Sequence, residues 1–150
     1  MKKFLSSLIV LLVVSSAFAQ VKNPVKWNYS AKKIADKTYE LHMVAEIDNG
    51  WHIYSLDHKG DIGVATSFKI NNNPLGTLDG KVATKAKAVS MKDPSTGEMV
   101  KFYTNTVDFV QIVKLKAAVK TNYTGSLEFM TCDDHECLPP TTKTFSIALQ

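Results

Sequence analysis

The chain has 150 residues, with 18 basic and 14 acidic side chains and a formal charge of +4. Without residues 1–19, whose only charges are Lys2 and Lys3, the balance is 16 basic against 14 acidic, or +2. That is too even to argue for nucleic acid, and no basic cluster interleaved with aromatics supports it. A chain of this size buries a core without covalent help, so small size does not demand its two cysteines.

The sequence opens MKKFLSSLIVLLVVSSAFAQ: two lysines, an apolar run to Val14, then small residues ending Ala17-Phe18-Ala19. This predicts a secretory signal peptide over residues 1–19, cut after Ala19, with a mature chain from Gln20. Its apolar core is too short to cross a bilayer, and nothing later supplies the roughly 18 apolar residues a membrane helix needs. No cysteine follows the cut to take a lipid. The expectation is an exported periplasmic protein without stable membrane insertion, in a space where disulfides persist.

Downstream, period-two patterning dominates. SAKKIADK, Ser30 to Lys37, is the one stretch that passes for a helical turn. In YELHMVAEID, Leu41, Met43, Ala45 and Ile47 alternate with polar residues, interrupted by Val44. VDFVQIVKLK, Val107 to Lys116, is apolar and β-branched enough for a central strand. GSLEFMTC sets Leu127 and Phe129 on one face, and TFSIAL alternates Phe145, Ile147 and Leu149. Turn signals fall at Asp48 to Gly50, Asn71 to Gly76, Asp93 to Glu98 and Asn122 to Gly125. Short strands with regular turns predict an all-β, immunoglobulin-like antiparallel sandwich, one domain over residues 20–150. The N-x-S/T triplets at Asn28 and Asn122 carry no functional weight.

The cysteines lie close together in EFMTCDDHECLPPTT: Cys132 and Cys137, with Asp133, Asp134 and Glu136 between them. Three chemistries suit such a pair. A structural staple is a poor use of so short a loop, worth about 2 kcal/mol against more than 4 for a hundred-residue loop. A metal clip would add His135, but zinc wants a fourth ligand and only His42, His52 and His58 remain, far along the chain. A redox couple suits an oxidising compartment. The loop carboxylates disfavour thiolate by like-charge repulsion, so such a pair would react only with a docked partner.

FMTCDDHECLPPTTKTFSIAL resembles the active-site end of the periplasmic N-terminal domain of the thiol:disulfide interchange protein DsbD. DNGWHIYS, Asp48 to Ser55, and KFYTNTVDFVQIVKL, from Lys101, resemble two further segments of that family, so the likeness covers most of the mature chain. It implies an immunoglobulin-like fold, with Cys132 as the first family cysteine and Cys137 as the one that forms mixed disulfides. It implies that Phe102, with Tyr103 beside it, caps the pair, and that His52 and Tyr54 sit on the strand at its rim. Without the resemblance, Trp51, Tyr54 and Phe102 read as plain core or rim aromatics and His52 as a strand surface residue.

The chain departs from the family in three ways. Its loop is one residue shorter, and Val100 and Lys101 stand where two acids precede the Phe-Tyr pair, leaving Glu98 or the loop acids to substitute. With the sequence stopping at Gln150, the expectation is that the transmembrane and thioredoxin-like domains of full-length members are absent and that any donor is another polypeptide. The implied function is thiol-disulfide exchange, as a protein-disulfide reductase. Electrons would pass from a thioredoxin-like or membrane-embedded thiol donor to oxidised periplasmic proteins, through a monomer with no cofactor and no metal. The alternatives are a non-enzymatic immunoglobulin-like binding module with a structural loop disulfide, and a metal-binding periplasmic protein.

Overall fold

A computed structural model describes residues 22–94 and 96–150; the expected signal peptide and its cleavage point lie outside them. Among the described residues every regular element is a strand: β1 (Val25–Ala35), β2 (Thr38–Ile47), β3 (His52–Tyr54), β4 (Ser67–Ile70), β5 (Gly76–Thr84), β6 (Val89–Lys92), β7 (Met99–Tyr103), β8 (Thr106–Leu115), β9 (Thr121–Phe129), β10 (Thr131–Cys132) and β11 (Thr141–Leu149). They form three sheets, ordered β1-β2-β8-β5, β11-β9-β4 and β10-β3-β7-β6, with every ladder antiparallel.

The first two sheets make the sandwich. Successive side chains of a strand point to opposite faces, so alternate positions form one apolar row per strand. Leu41, Met43, Ala45 and Ile47 of β2 and Val107, Phe109, Val113 and Leu115 of β8 bury that row against Tyr123, Leu127 and Phe129 of β9 and Phe145, Ile147 and Leu149 of β11. Trp27 of β1 closes one end, with ring centroids 6.0 Å from Phe68, 5.8 Å from Phe109 and 5.4 Å from Phe129. Each fully buried side chain of this kind contributes about 1.5–3 kcal/mol of transfer free energy, which makes this layer the main source of stability.

One inward position of β8 is polar. Gln111 is buried, and its Nε2 donates to the carbonyls of Asp79 and Ile112 at 3.0 and 2.9 Å, with Gly80 O at 3.4 Å. The register of β5 on β8 shifts between Asp79 and Ala83, and Gly80 has φ +70 there. Gln111 thus takes up backbone acceptors that the bulge removes from the ladder.

Two expectations are corrected. Ser30 to Lys37 is not helical: β1 pairs with β2 as far as Ala35↔Thr38 and turns through Asp36 and Lys37, the latter at φ 54. Its outer half is exposed and carries no apolar rhythm, so pairing with β2 decides its conformation. Asn122 to Gly125 is not a turn but lies inside β9. Tyr123 is buried there, and a Cβ on Gly125 would lie 2.5 Å from the Lys69 carbonyl of β4. That glycine marks close backbone approach, not reversal.

The third sheet is smaller and positions the site. Residues directly opposite across a ladder share a face. The pairs Cys132↔His52, Tyr54↔Phe102, Val89↔Phe102 and Met91↔Val100 therefore put these seven side chains on one face. The other face carries Ile53 and Tyr103, which join the main core.

Candidate functional site

Cys132 ends the two-residue strand β10, and Cys137 returns beside it in an isolated antiparallel bridge. The sulfurs are joined, with Cα atoms 4.0 Å apart. Cys132 is 2% exposed, whereas Cys137 faces solvent. The turn between them is tied by Asp133: its N–H donates to the Glu136 carbonyl at 2.9 Å, and its Oδ1 accepts from the N–H groups of His135 and Glu136 at 2.8 Å each. Those two hydrogen bonds hold its carboxyl below the ordinary 3.8. Leu138 N–H donates to Thr131 O, and Thr131 Oγ1 to His52 O, both at 2.9 Å, which anchors the loop to β3.

The carboxylates act less uniformly than their count suggests. Asp133 is turned onto the backbone of its own loop. Glu136 pairs with Lys22, whose ammonium also lies 5.7 Å from the Trp51 ring centroid. Asp134 remains exposed.

Around Cys132 a compact cluster forms from Tyr54, Val100 and Phe102, with Met130 against it. The Tyr54 hydroxyl lies 3.6 Å from Cys132 Sγ; a disulfide sulfur carries no proton, so the hydroxyl is the donor. Burial, assisted by the charge of Asp93, raises the Tyr54 phenol above its ordinary 10.0, which keeps that proton in place at neutral pH. Phe102, 9% exposed, packs at 4.4 Å between ring centroids on His52, which meets Tyr54 edge-on at 5.8 Å. Burial lowers the His52 imidazole below its ordinary 6.5, while Asp134 and then Asp133 pull it back up.

Of the expected site residues, Phe102, His52 and Tyr54 converge on Cys132 with the loop acids alongside. Tyr103 does not: strand alternation turns it into the main core, 5.7 Å from Phe109. Glu98 accepts from Asp61 N–H at 3.3 Å, and Lys101 pairs with Asp57 at 2.6 Å; both brace the chain between Ser55 and Thr66.

Family model and structural neighbours agree on this architecture. The model described as the N-terminal domain of the thiol:disulfide interchange protein DsbD matches residues 19–149. The chain belongs to that family. The reduced N-terminal domain of DsbD from Neisseria meningitidis superposes with TM-score 0.52 at 18% identity, over 83% of this chain and 85% of that one. The same DsbD domain in its complex with the N-terminal domain of PilB gives 0.52 at 18%, over 81% and 80%. The N-terminal periplasmic domain of ScsB from Proteus mirabilis gives 0.53 at 16%; the match spans 83% of this chain and 44% of that longer one. At such identities the likeness is one of fold. No curated protein matches the chain significantly.

As a DsbD N-terminal domain the protein is of the thiol-disulfide exchange kind, with its cysteine pair on the small sheet. Among the described residues no helix is long and apolar enough to cross a membrane. Sequence reasoning missed the support behind Tyr54. His58 stacks on the phenol at 4.6 Å; its Nε2–H donates to Ile62 O at 2.6 Å, and its Nδ1 accepts from Lys101 N–H at 3.4 Å. Gly63, at φ +81, lies against the phenol so closely that a Cβ there would meet the ring at 2.2 Å. Thr66 Oγ1 donates to Tyr54 O at 2.6 Å. His58-Lys59-Gly60 carries no local motif, and only the long return of this segment onto β3 brings it into the site.

Proposed function

We propose that this domain relays electrons in the periplasm, from a thioredoxin-like or membrane-embedded thiol donor to oxidised periplasmic proteins, as a protein-disulfide reductase. The observation that carries this reading is the inequality of the two sulfurs: Cys137 faces solvent, while Cys132 is buried against a phenol hydroxyl.

The chemistry follows from that inequality. A donor thiolate attacks Cys137 Sγ, the Cys132–Cys137 bond breaks, and Cys132 leaves as a thiolate that accepts a hydrogen bond from Tyr54. A second donor thiol attacks the donor sulfur of the mixed disulfide, so the donor is oxidised and both domain cysteines are reduced. In the forward half, Cys137 attacks the acceptor disulfide and expels one acceptor thiolate. Cys132 then attacks Cys137, re-forms the internal bond and releases the reduced acceptor. Two electrons pass in each half, with no cofactor. Phe102, packed on His52, shields the pair between encounters, and Leu138, Pro139 and Pro140 give a rigid apolar edge beside Cys137.

Trapping tests the assignment. Cys132→Ser is expected to accumulate a mixed disulfide through Cys137 with a thioredoxin-like partner, at least tenfold more than Cys137→Ser, read by non-reducing electrophoresis and mass spectrometry. The couple is expected to titrate above roughly −300 mV, the region below which resistant structural bridges lie. Equal trapping by both variants removes the assignment of Cys137. A lower potential with a large loss of stability on reduction favours the binding module with a structural bridge.

A further inference from the structure

On the far side of the β1-β2-β8-β5 sheet from its core, the surface is concave. Outward-facing Val110 and Ile112 of β8 and Ala83 of β5 lie in a groove of about 770 Å³, lined also by Glu40, His42 and Asp108. That volume falls within the roughly 300–1,000 Å³ of ligand sites. The groove shares no residue with the disulfide face.

Its charges are unevenly matched. Asp79 pairs with Lys114 at 2.8 Å, Asp108 Oδ2 with His42 Nδ1 at 2.8 Å, and Glu40 lies 3.4 Å from His42 Nε2. Asp79 and Asp108 thus have partners, while Glu40 stands opposite Lys32 across the β1-β2 ladder. Lys32, Lys81 and Lys85, which line the same groove, have no carboxylate within ion-pair distance among the described residues.

We propose that this groove binds an acidic peptide segment in extended conformation. The three unmatched ammonium groups call for carboxylates, and the apolar floor between them calls for intervening apolar side chains. An extended chain presents the two in alternation. Because the groove is open to solvent, it cannot enclose most of a small solute's surface, as small-molecule sites do; a chain passing through it needs no such enclosure.

The probe is an end-blocked hexapeptide of alternating glutamate and leucine, titrated into the oxidised protein and followed by amide chemical shifts. The expected result is saturable binding that weakens with salt, with shifts at residues 40–42, 81–86 and 108–112 and none at 132–137. Lys81→Glu with Lys85→Glu should lower affinity at least tenfold, about 1.4 kcal/mol, and leave disulfide reduction by a small thiol unchanged. If that double variant does not fold, Lys81→Gln and Lys85→Gln singly should each weaken binding. Absence of saturable binding, equal binding of the lysine-leucine counterpart, or indifference to the lysine variants overturns the proposal. Glutarate binding as tightly as the peptide overturns it too, in favour of a small dicarboxylate site.

Discussion

The main sandwich and the small β10-β3-β7-β6 sheet are built from the same alternation of residues, yet they spend it differently. In the sandwich, β1, β2, β8, β9 and β11, of nine to eleven residues, place three to five side chains each into one continuous core. In the small sheet, β3 has three residues and β10 two, and the buried cluster on the site face is Tyr54, Val100, Phe102 and Cys132. Loss of one contact in the first is shared among many neighbours; in the second it removes a large part of what holds the site closed. Regions with few buried apolar contacts open at low free-energy cost, and a disulfide that must be reached by another protein belongs in such a region.

That contrast is testable in stability. Phe109→Ala, in the sandwich, should cost about 3–5 kcal/mol in urea unfolding. Phe102→Ala should cost less, within the roughly 0.5–3 kcal/mol of an ordinary substitution, since it belongs to a small cluster at the surface where water and neighbours can fill the space. It should, however, raise the rate at which small thiols reduce the disulfide. Equal costs for the two would break the comparison.

Gly63→Ala sharpens it. The substitution places a methyl group against the Tyr54 ring at a φ of +81, so the segment from Ser55 to Thr66 must shift, at about 1–3 kcal/mol. Amide exchange should accelerate at Ser55 and Thr66, while Leu41 and Phe109 keep their protection. Uniform acceleration across both regions would mean that the small sheet does not open on its own.

The smallest effect concerns pH. The folded imidazole of His52 is held below 6.5, so as pH falls through 6.5 the unfolded chain takes up a proton that the folded one refuses. Stability should therefore decline as pH drops from 6.5 toward the folded value and level off beneath it, with the site face loosening first. His52→Gln should remove that part of the profile. A profile unchanged by the substitution would show that the ring's burial does not set it.

How far the sequence announced all this depends on strand length and on contact range. The rows Leu41 to Ile47 and Phe145 to Leu149 are long enough for period two to be read directly, and the central position of β8 followed from its apolar content. The outer half of β1 hid its state because exposed Lys32, Lys33 and Ile34 carry no alternation, and Asn122 to Gly125 carried turn residues into a strand for packing reasons. Elements of two to four residues, such as β10, β3 and β6, are too short to show a period. At the site, the cysteines and the aromatics Phe102 and Tyr54 were legible through the family resemblance. Tyr103 faces away because neighbours on a strand point oppositely, and His58, Gly63 and Lys22 were hidden because their partners are distant in sequence or, like a phenol face, leave no trace in it.

The polar position in the sandwich core has a further consequence. Strand β5 is an outer strand of its sheet, and a straight outer strand offers its free amides and carbonyls to any chain that approaches, which is how folded β proteins begin to clump. The irregularity between Asp79 and Ala83 interrupts that offer, and Gln111 draws the Asp79 carbonyl inward so that it is not available to a newcomer. Replacing Gln111 with leucine would make the inward row of β8 uniformly apolar and release that acceptor. A residue whose place looks like a concession within the core thus also blunts the outer edge of its sheet.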